Sequence, residues 1–397
     1  MYTSRLFCLI DRMLLKLSNA NVYAPEPLQI CDLLVAGGQI VWLGKPGSAP
    51  VTAAVESVDL EGRRLLPGFI DGHAHLTGGG GESGFSSRVP PVPLSRFTAA
   101  GVTSVVGVLG TDDITRDTAG LVAAAYALRE EGIGAWCHCG GYHVPPVTLT
   151  GRVRRDIVYV DPIIGVGEVA VSDHRSSQPT LDELLKLASE AHVAGIMTGK
   201  AGILHLHLGD GDRGLELVRE ALKTSELPPR VFNPTHVNRK PELFEEALAL
   251  ARTGSTIDVT AYDVADKDPS IPAAVALSRY LESDAPADRI TVSSDGGGCL
   301  PEFDADGVLT RMEIGHPGSL PDTLAELLRA GVPLADALPA FTSNVAALLR
   351  LKDRGRIRAG ARADFVVFDD EHRISEVMAG GVWHVKNGTQ QVSGTFE

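Results

Sequence analysis

Leu65-Leu66-Pro67-Gly68-Phe69-Ile70-Asp71-Gly72-His73-Ala74-His75 is an apolar run that ends in two histidines one residue apart. Side chains alternate faces along a strand, so both imidazoles leave on one side, where they can chelate a single metal ion. His-x-His also occurs in ordinary strands, and what surrounds the pair decides its meaning. From Pro67 onward the chain repeats apolar strand, turn and helix. The strands this rhythm predicts are residues 69–75, 102–109, 133–142, 163–171, 203–208, 231–237, 256–262 and 290–294. Strand-helix alternation implies a parallel sheet, and eight such strands close a barrel. Thr180-x-x-Glu183 is a capping box in front of the Leu181, Leu184, Leu185, Ala188 stripe, while Pro241 opens and Gly254 ends another helix. Helices over 322–330 and 334–349 follow the last barrel strand.

Outward from the barrel the two ends look alike. Short β-type runs at 14–17, 32–36, 39–43 and 57–60 precede it, and runs at 363–368 and 381–385 follow it. The predicted fold is therefore α/β: a (β/α)8 TIM-like barrel over 67–353, beside a discontinuous small β-sandwich domain made of 14–66 and 354–397. Residues 1–13 stand apart as an extension, with Met13 an alternative start. The segment before Leu17 is too short and too charged for a signal peptide, and no run is apolar for the length of a membrane span.

With 397 residues, 44% of them hydrophobic, the chain can bury a large core. A net charge of −14 without a polybasic stretch argues against nucleic acid or an anionic membrane as partner and favours small-molecule chemistry. Five scattered cysteines, with Cys137-x-Cys139 read as strand packing, exclude a disulfide framework and point to a reducing cytoplasm.

Barrel enzymes carry their chemistry at the C-terminal strand ends. Here those ends read His73 and His75, Tyr142, Glu168 followed by Ser172-Asp173-His174-Arg175, His207, His236 with Arg239, and Asp295. His73, His75 and Asp295 can hold one metal ion, His207 and His236 a second, and Glu168 on strand four can bridge them. Two divalent ions so placed lower the pKa of a shared water and polarise a carbonyl, which is hydrolytic chemistry. Zinc suits the histidine and carboxylate donors best, with cobalt or manganese also accepted. His205, one step deeper, reads as interior packing, and His138, His143 and His174 as loop or supporting groups.

Histidines at these strand ends, with an aspartate ending strand eight, resemble the amidohydrolase superfamily. Longer motifs are similar to those of isoaspartyl dipeptidases, the metal-dependent β-aspartyl dipeptidases: Pro67 to His75, Gly78-Gly79-Gly80-Gly81-Glu82, Leu109-Gly110-Thr111-Asp112, Tyr142-His143-Val144-Pro145, Ser172 to Arg175, Pro234-Thr235-His236-Val237-Asn238-Arg239 and Ser293-Ser294-Asp295-Gly296. The resemblance runs through nearly the whole chain. It implies cleavage of the isopeptide bond of β-aspartyl dipeptides by a homo-oligomeric enzyme, with Glu82 on the substrate ammonium and Arg175 and Arg239 on its carboxylates. Gly80 and Thr111 would add hydrogen bonds, Tyr142 would face the developing oxyanion, and Asp295 would move the proton. Cys299 occupies a substrate-contact position where the family usually has serine.

One departure is sharp. Most such relatives bridge their metals with a carboxylated lysine, but Ile164-Gly165-Val166-Gly167-Glu168-Val169-Ala170-Val171 contains none. Glu168 takes that place. Its shorter side chain calls for an inward step of the strand, which a bulge beside Gly165 and Gly167 can make. Lys200 is the rival bridge. Other amidohydrolases, acting on N-acyl amino acids or cyclic amides, are the alternative activity, and a non-catalytic amidohydrolase-like scaffold is the alternative of another class.

Overall fold

The computed structural model describes residues 14–50, 55–262, 269–303 and 309–397; the extension over 1–13, with Met13, lies outside them. The barrel strands are β1 (Phe69–Ala74), β2 (Val102–Gly107), β3 (Gly134–Cys139), β4 (Ile163–Val171), β5 (Leu204–Leu208), β6 (Phe232–Thr235), β7 (Ile257–Thr260) and β8 (Ile290–Ser293). β1 to β6 lie side by side in chain order in one six-stranded sheet, and β7 pairs with β8. Every one of these pairings is parallel. Two seams close the ring. Val237 N–H donates to Asp258 O at 3.3 Å between β6 and β7, and Asp295 N–H to His73 O at 3.1 Å between β8 and β1. Asp258 braces β7 on both sides by accepting from Thr235 of β6 at 2.7 Å and from Thr291 and Ser293 of β8 at 2.6 and 2.5 Å.

β4 carries one residue more than each neighbour. Leu204 and Leu206 of β5 face Val166 and Val169, while Cys137 and His138 of β3 face Ile163 and Gly165. Against β5 the expected bulge is therefore present at Gly167-Glu168, whose peptide is cis, with Gly167 at φ 144°, while against β3 the extra residue is Ile164. Helices cover the barrel where the end signals place them. Thr180 and Glu183 form the reciprocal capping box of Leu181–Thr198, and Pro241 opens Pro241–Arg252.

Strands from both chain ends join in one nine-stranded sheet, where Phe365–Phe368 pairs antiparallel with Arg64–Pro67. The first strand, Leu15–Tyr23, runs past the expected 14–17 because a bulge with Asn19 at φ 53° carries it through the polar Ser18-Asn19 step. Ile374–Ala379 is a strand that the sequence reading missed, since Ser375 and Glu376 break its apolar pattern. The helix expected over 334–349 is corrected to three pieces, Leu334–Ala337, the 3-10 turn Leu338–Phe341 and Ser343–Leu349, because Pro339 has no N–H for a continuous ladder. A hairpin of Cys299–Phe303 and Leu309–Ile314 follows β8 and was also not foreseen. No helix among the described residues is long and apolar enough to cross a membrane.

Candidate metal centre

Glu168 sits at the middle of the barrel mouth with its two oxygens turned to different partners. Oε1 lies 3.5 Å from His75 Nε2, and Oε2 lies 3.6 Å from His73 Nε2, 3.0 Å from His207 Nδ1 and 3.5 Å from His236 Nε2. Asp295 Oδ1 stands 3.4 Å from His73 Nε2 and 3.1 Å from His75 Nε2. All six residues are buried. Four donors at about 2.0–2.2 Å around a tetrahedral ion are roughly 3.3–3.6 Å apart, so these spacings fit ligation. His73 Nε2 and Asp295 Oδ1 are buried without hydrogen-bond partners, as ligand atoms of a metal site are. The donors group as His73, His75 and Glu168; His73, His236 and Asp295; and Glu168, His207 and His236.

Charge agrees with geometry. Burial pushes the Glu168 and Asp295 carboxyls up, but the imidazoles around them outweigh it and hold both far below the usual carboxylate range. Burial pulls His73 down, yet Glu168 and Asp295 raise it to about 9, whereas burial dominates at His236 and takes it down to about 3. The cluster thus calls for positive charge at its centre, which a divalent cation supplies.

Backbone conformation aims the ligands. His236 and Asp295 follow the ends of β6 and β8 at φ 60° and 51°, a region costly for non-glycine residues and recurrent at active sites. His75, just past β1, is pinned by its N–H to Gly296 O at 2.8 Å. Gly110 is required beside it, since a Cβ there would meet His75 Cε1 at 2.9 Å. Three of the four candidate ligand imidazoles have their second nitrogen engaged: His207 Nε2 by Asp173 Oδ2 at 3.1 Å, His236 Nδ1 by Thr260 Oγ1 at 2.7 Å and His73 Nδ1 by His205 Nε2 at 2.8 Å. The sequence reading gave Asp173, Thr260 and His205 no role here, although Asp173 stood in a quoted motif.

Around the cluster one cavity collects His75, Gly80, Glu82, Thr111, Tyr142, Glu168, Arg175, His207, His236, Arg239, Asp295 and Cys299, with Gly110 as an addition. His73 lies beneath it. Glu82 Oε1 accepts from Thr111 Oγ1 at 3.1 Å and faces Arg175 Nη1 at 3.5 Å, while its Oε2 is buried and unpartnered. Arg239 meets Asp210 at 3.4 Å through Nη1, and its Nε is buried without a partner. Arg175 already forks Asp173 through Nε and Nη2 at 3.0 and 2.7 Å. Tyr142 is in the loop three residues beyond β3, not on the strand, and its hydroxyl lies 2.9 Å from His207 Nδ1. Burial pushes that phenol well above its ordinary value. Burial and the Glu82 charge likewise raise the Cys299 thiol, to about 12. His143 pairs with Asp113 at 2.9 Å, His138 is buried on β3, and His174 is exposed. Lys200 lies away from the cavity, its Nζ donating to the carbonyls of Ile157, Val160 and Ile163 at 2.6, 2.7 and 2.9 Å.

Known proteins repeat this frame. A β-aspartyl dipeptidase from the thermophilic, keratin-degrading Fervidobacterium islandicum AW-1, solved in complex with a β-Asp-Leu dipeptide, superposes with a TM-score of 0.89 at 39% identity, covering 96% of this chain and 98% of that one. An imidazolonepropionase of Ruegeria sp. TM1040 is 27% identical over 85% of this chain and 86% of its own length. A deacetylase of Brucella anthropi is 26% identical over 85% of this chain and 79% of its own length. The profile of the amidohydrolase family matches residues 64–384, which takes in every candidate ligand as well as the barrel that carries them: the chain belongs to the amidohydrolase family.

Proposed function

We propose that this protein is a binuclear metallohydrolase that cleaves the isopeptide bond of β-aspartyl dipeptides. One observation carries the reading. Glu82 Oε2 and Arg239 Nε, an acceptor and a donor both buried without partners, share a single cavity with five of the six metal donors, His73 lying beneath it. Buried groups of this kind cost about 1–3 kcal/mol each when left unpaired, so the cavity favours a ligand with both signs of charge. A β-aspartyl dipeptide has an α-ammonium for Glu82, a carboxylate for Arg239 and a second carboxylate for Arg175, which reaches it with Nη1 while Asp173 holds its other edge. Gly80, Thr111 and Cys299 complete the wall around the aspartyl unit. Similarity to the Fervidobacterium enzyme with its β-Asp-Leu ligand supports the assignment.

His73, His75 and Asp295 would hold one ion, His207 and His236 the other, and Glu168 both, with zinc the metal their chemistry suits best. Two such ions, when bound, lower the pKa of water to about 7 and polarise the scissile carbonyl. Asp295 takes the proton from the attacking water and delivers it to the leaving amine. Tyr142, kept protonated by burial, donates to the oxygen on which charge develops. We place the enzyme in the cytoplasm as a homo-oligomer.

Similarity to imidazolonepropionases supports a second reading, a cyclic amide bearing a carboxylate, which has a use for the arginines and none for Glu82. The discriminating experiment is a panel of β-Asp-Leu, α-Asp-Leu, N-acetyl-leucine and imidazolone propionate offered to protein of measured metal content. Turnover confined to the β-aspartyl substrate is expected. A larger kcat/KM for the cyclic amide overturns the proposal, and a metal-free protein without turnover on any arm returns the scaffold reading.

A further inference from the structure

Beneath the cluster the barrel holds more imidazole than ligation uses. His205 precedes His207 by two residues on β5, so it faces the same interior one step deeper, where it is 2% exposed. Its Nε2 lies 2.8 Å from His73 Nδ1 and its Nδ1 lies 2.7 Å from Asn233 Oδ1. Asn233, on β6, donates Nδ2 to Thr256 O at 2.8 Å. A backbone carbonyl accepts only, which fixes the amide with its nitrogen toward Thr256 and its oxygen toward His205. That oxygen also accepts only, so His205 Nδ1 carries the proton. The neutral ring then offers a bare Nε2, which accepts from His73 Nδ1–H. His73 Nε2 is thereby left with its lone pair toward Glu168 and Asp295.

His205 is itself held in plane. His138 stacks on it with ring centres 5.2 Å apart and planes 29° apart, and Gly165 leaves the room, since a Cβ there would meet His138 Nδ1 at 2.6 Å. No carboxylate enters the run from Thr256 to His73. His207 differs, because the charge of Asp173 stands behind it and makes that imidazole the stronger donor.

We infer that His205 and Asn233 are positioning residues that set the tautomer and ring plane of His73 for a divalent cation, so that one of the two ions depends on a neutral hydrogen-bond run through the barrel interior. The inference rests on the binuclear reading above. An ordinary core histidine with both nitrogens satisfied would support packing alone, and stability separates the two.

The test is zinc stoichiometry and competition with a chelator in full-length protein, together with thermal unfolding of the metal-free form. His205→Phe keeps the ring volume and removes the acceptor. It should retain one ion at parental affinity and weaken the other by about 10–100-fold. The metal-free form should unfold close to the parent. His205→Gln, whose amide can donate to Asn233 and accept from His73, should recover most of the loss, and Asn233→Ser should weaken the same ion as His205→Phe. Two ions at parental affinity in His205→Phe overturn the inference. So does a loss of both ions that tracks lowered stability, or failure of both His205→Phe and Asn233→Ser to fold, which marks the pair as packing. A parent that binds a single ion overturns the binuclear reading instead, and the inference then stands or falls on whether His205→Phe weakens that ion.

Discussion

Burial acts in opposite directions on Glu168 and Tyr142. At Glu168 the surrounding imidazoles outweigh it and keep the carboxylate charged; at Tyr142 it prevails and keeps the phenol protonated. As the proposed bridge, Glu168 would supply the single charge and two oxygens that a carboxylated lysine would. Activity should therefore not respond to added bicarbonate, and intact mass should show no CO₂ adduct. Glu168→Ala should lose at least one ion together with turnover; full metal occupancy and activity in that variant would refute the bridge. Tyr142→Phe should lower kcat by about 10²–10³ with KM within a few-fold, as expected for a donor that acts mainly in the transition state. Because its hydroxyl lies against His207 Nδ1, metal content belongs in the same experiment, and both ions should remain. A kcat within a few-fold of the parent makes Tyr142 packing. Glu168 stands out in the sequence as a carboxylate on strand four where a lysine is missing, although the strand runs on to Val171. Asp173 does not, since its contact with His207 comes from the turn after β4.

The loop after β1 is shaped by a residue from the loop after β2. Arg116 donates Nε to Thr77 O at 3.1 Å, Nη2 to Val89 O at 3.0 Å and Nη1 to Gly80 O at 3.5 Å, and it pairs with Asp112 at 2.9 Å. One guanidinium thus ties both ends and the middle of the glycine-rich loop that carries Glu82. Gly80, at φ 76°, is needed there because a Cβ would meet Ser87 O at 2.5 Å. Arg116→Lys keeps the charge but not the fork. KM for β-Asp-Leu should rise about tenfold, the equivalent of one lost charge-assisted hydrogen bond. Since Arg116 touches no ligand, kcat and zinc content should stay near parental values. A fall in kcat at unchanged KM would place the loop in the chemical step instead of in binding. Glycines announce such a loop in the sequence, but an arginine that works by capping distant carbonyls leaves no pattern. Local signals were enough for the barrel strands and the Thr180 cap. They failed at Ile374–Ala379, where Ser375 and Glu376 interrupt the apolar pattern although both pairing partners are the neighbouring strands in the chain.

Two cores meet at one pair of strands. Leu65, Phe365 and Val367 point into the β-domain core with Leu17, Leu33 and Met378, while Leu66, Val366 and Phe368 point into the barrel core with Phe69 and Phe341. Period-two alternation thus makes Arg64–Pro67 and Phe365–Phe368 a wall shared by both. Similar β text at the two ends announced a joint module, but not that its seam would also support the strand leading to His73. Phe69 packs on Phe368 with ring centres 6.3 Å apart and on Phe341 at 6.0 Å. Among the fully buried side chains that a chain ended at Asp364 loses are four of the shared wall, Phe365 to Phe368. At about 1.5–3 kcal/mol each, that is roughly 6–12 kcal/mol. The loss is comparable to the whole stability of a folded protein, about 5–15 kcal/mol. It also leaves Arg64–Pro67 without its antiparallel partner, an open edge prone to aggregation. The truncated chain should therefore be insoluble or unfolded by circular dichroism and bind no stoichiometric zinc, although every candidate ligand is still encoded in it. A soluble truncated protein with the parent's zinc content would show that the barrel stands without the shared wall.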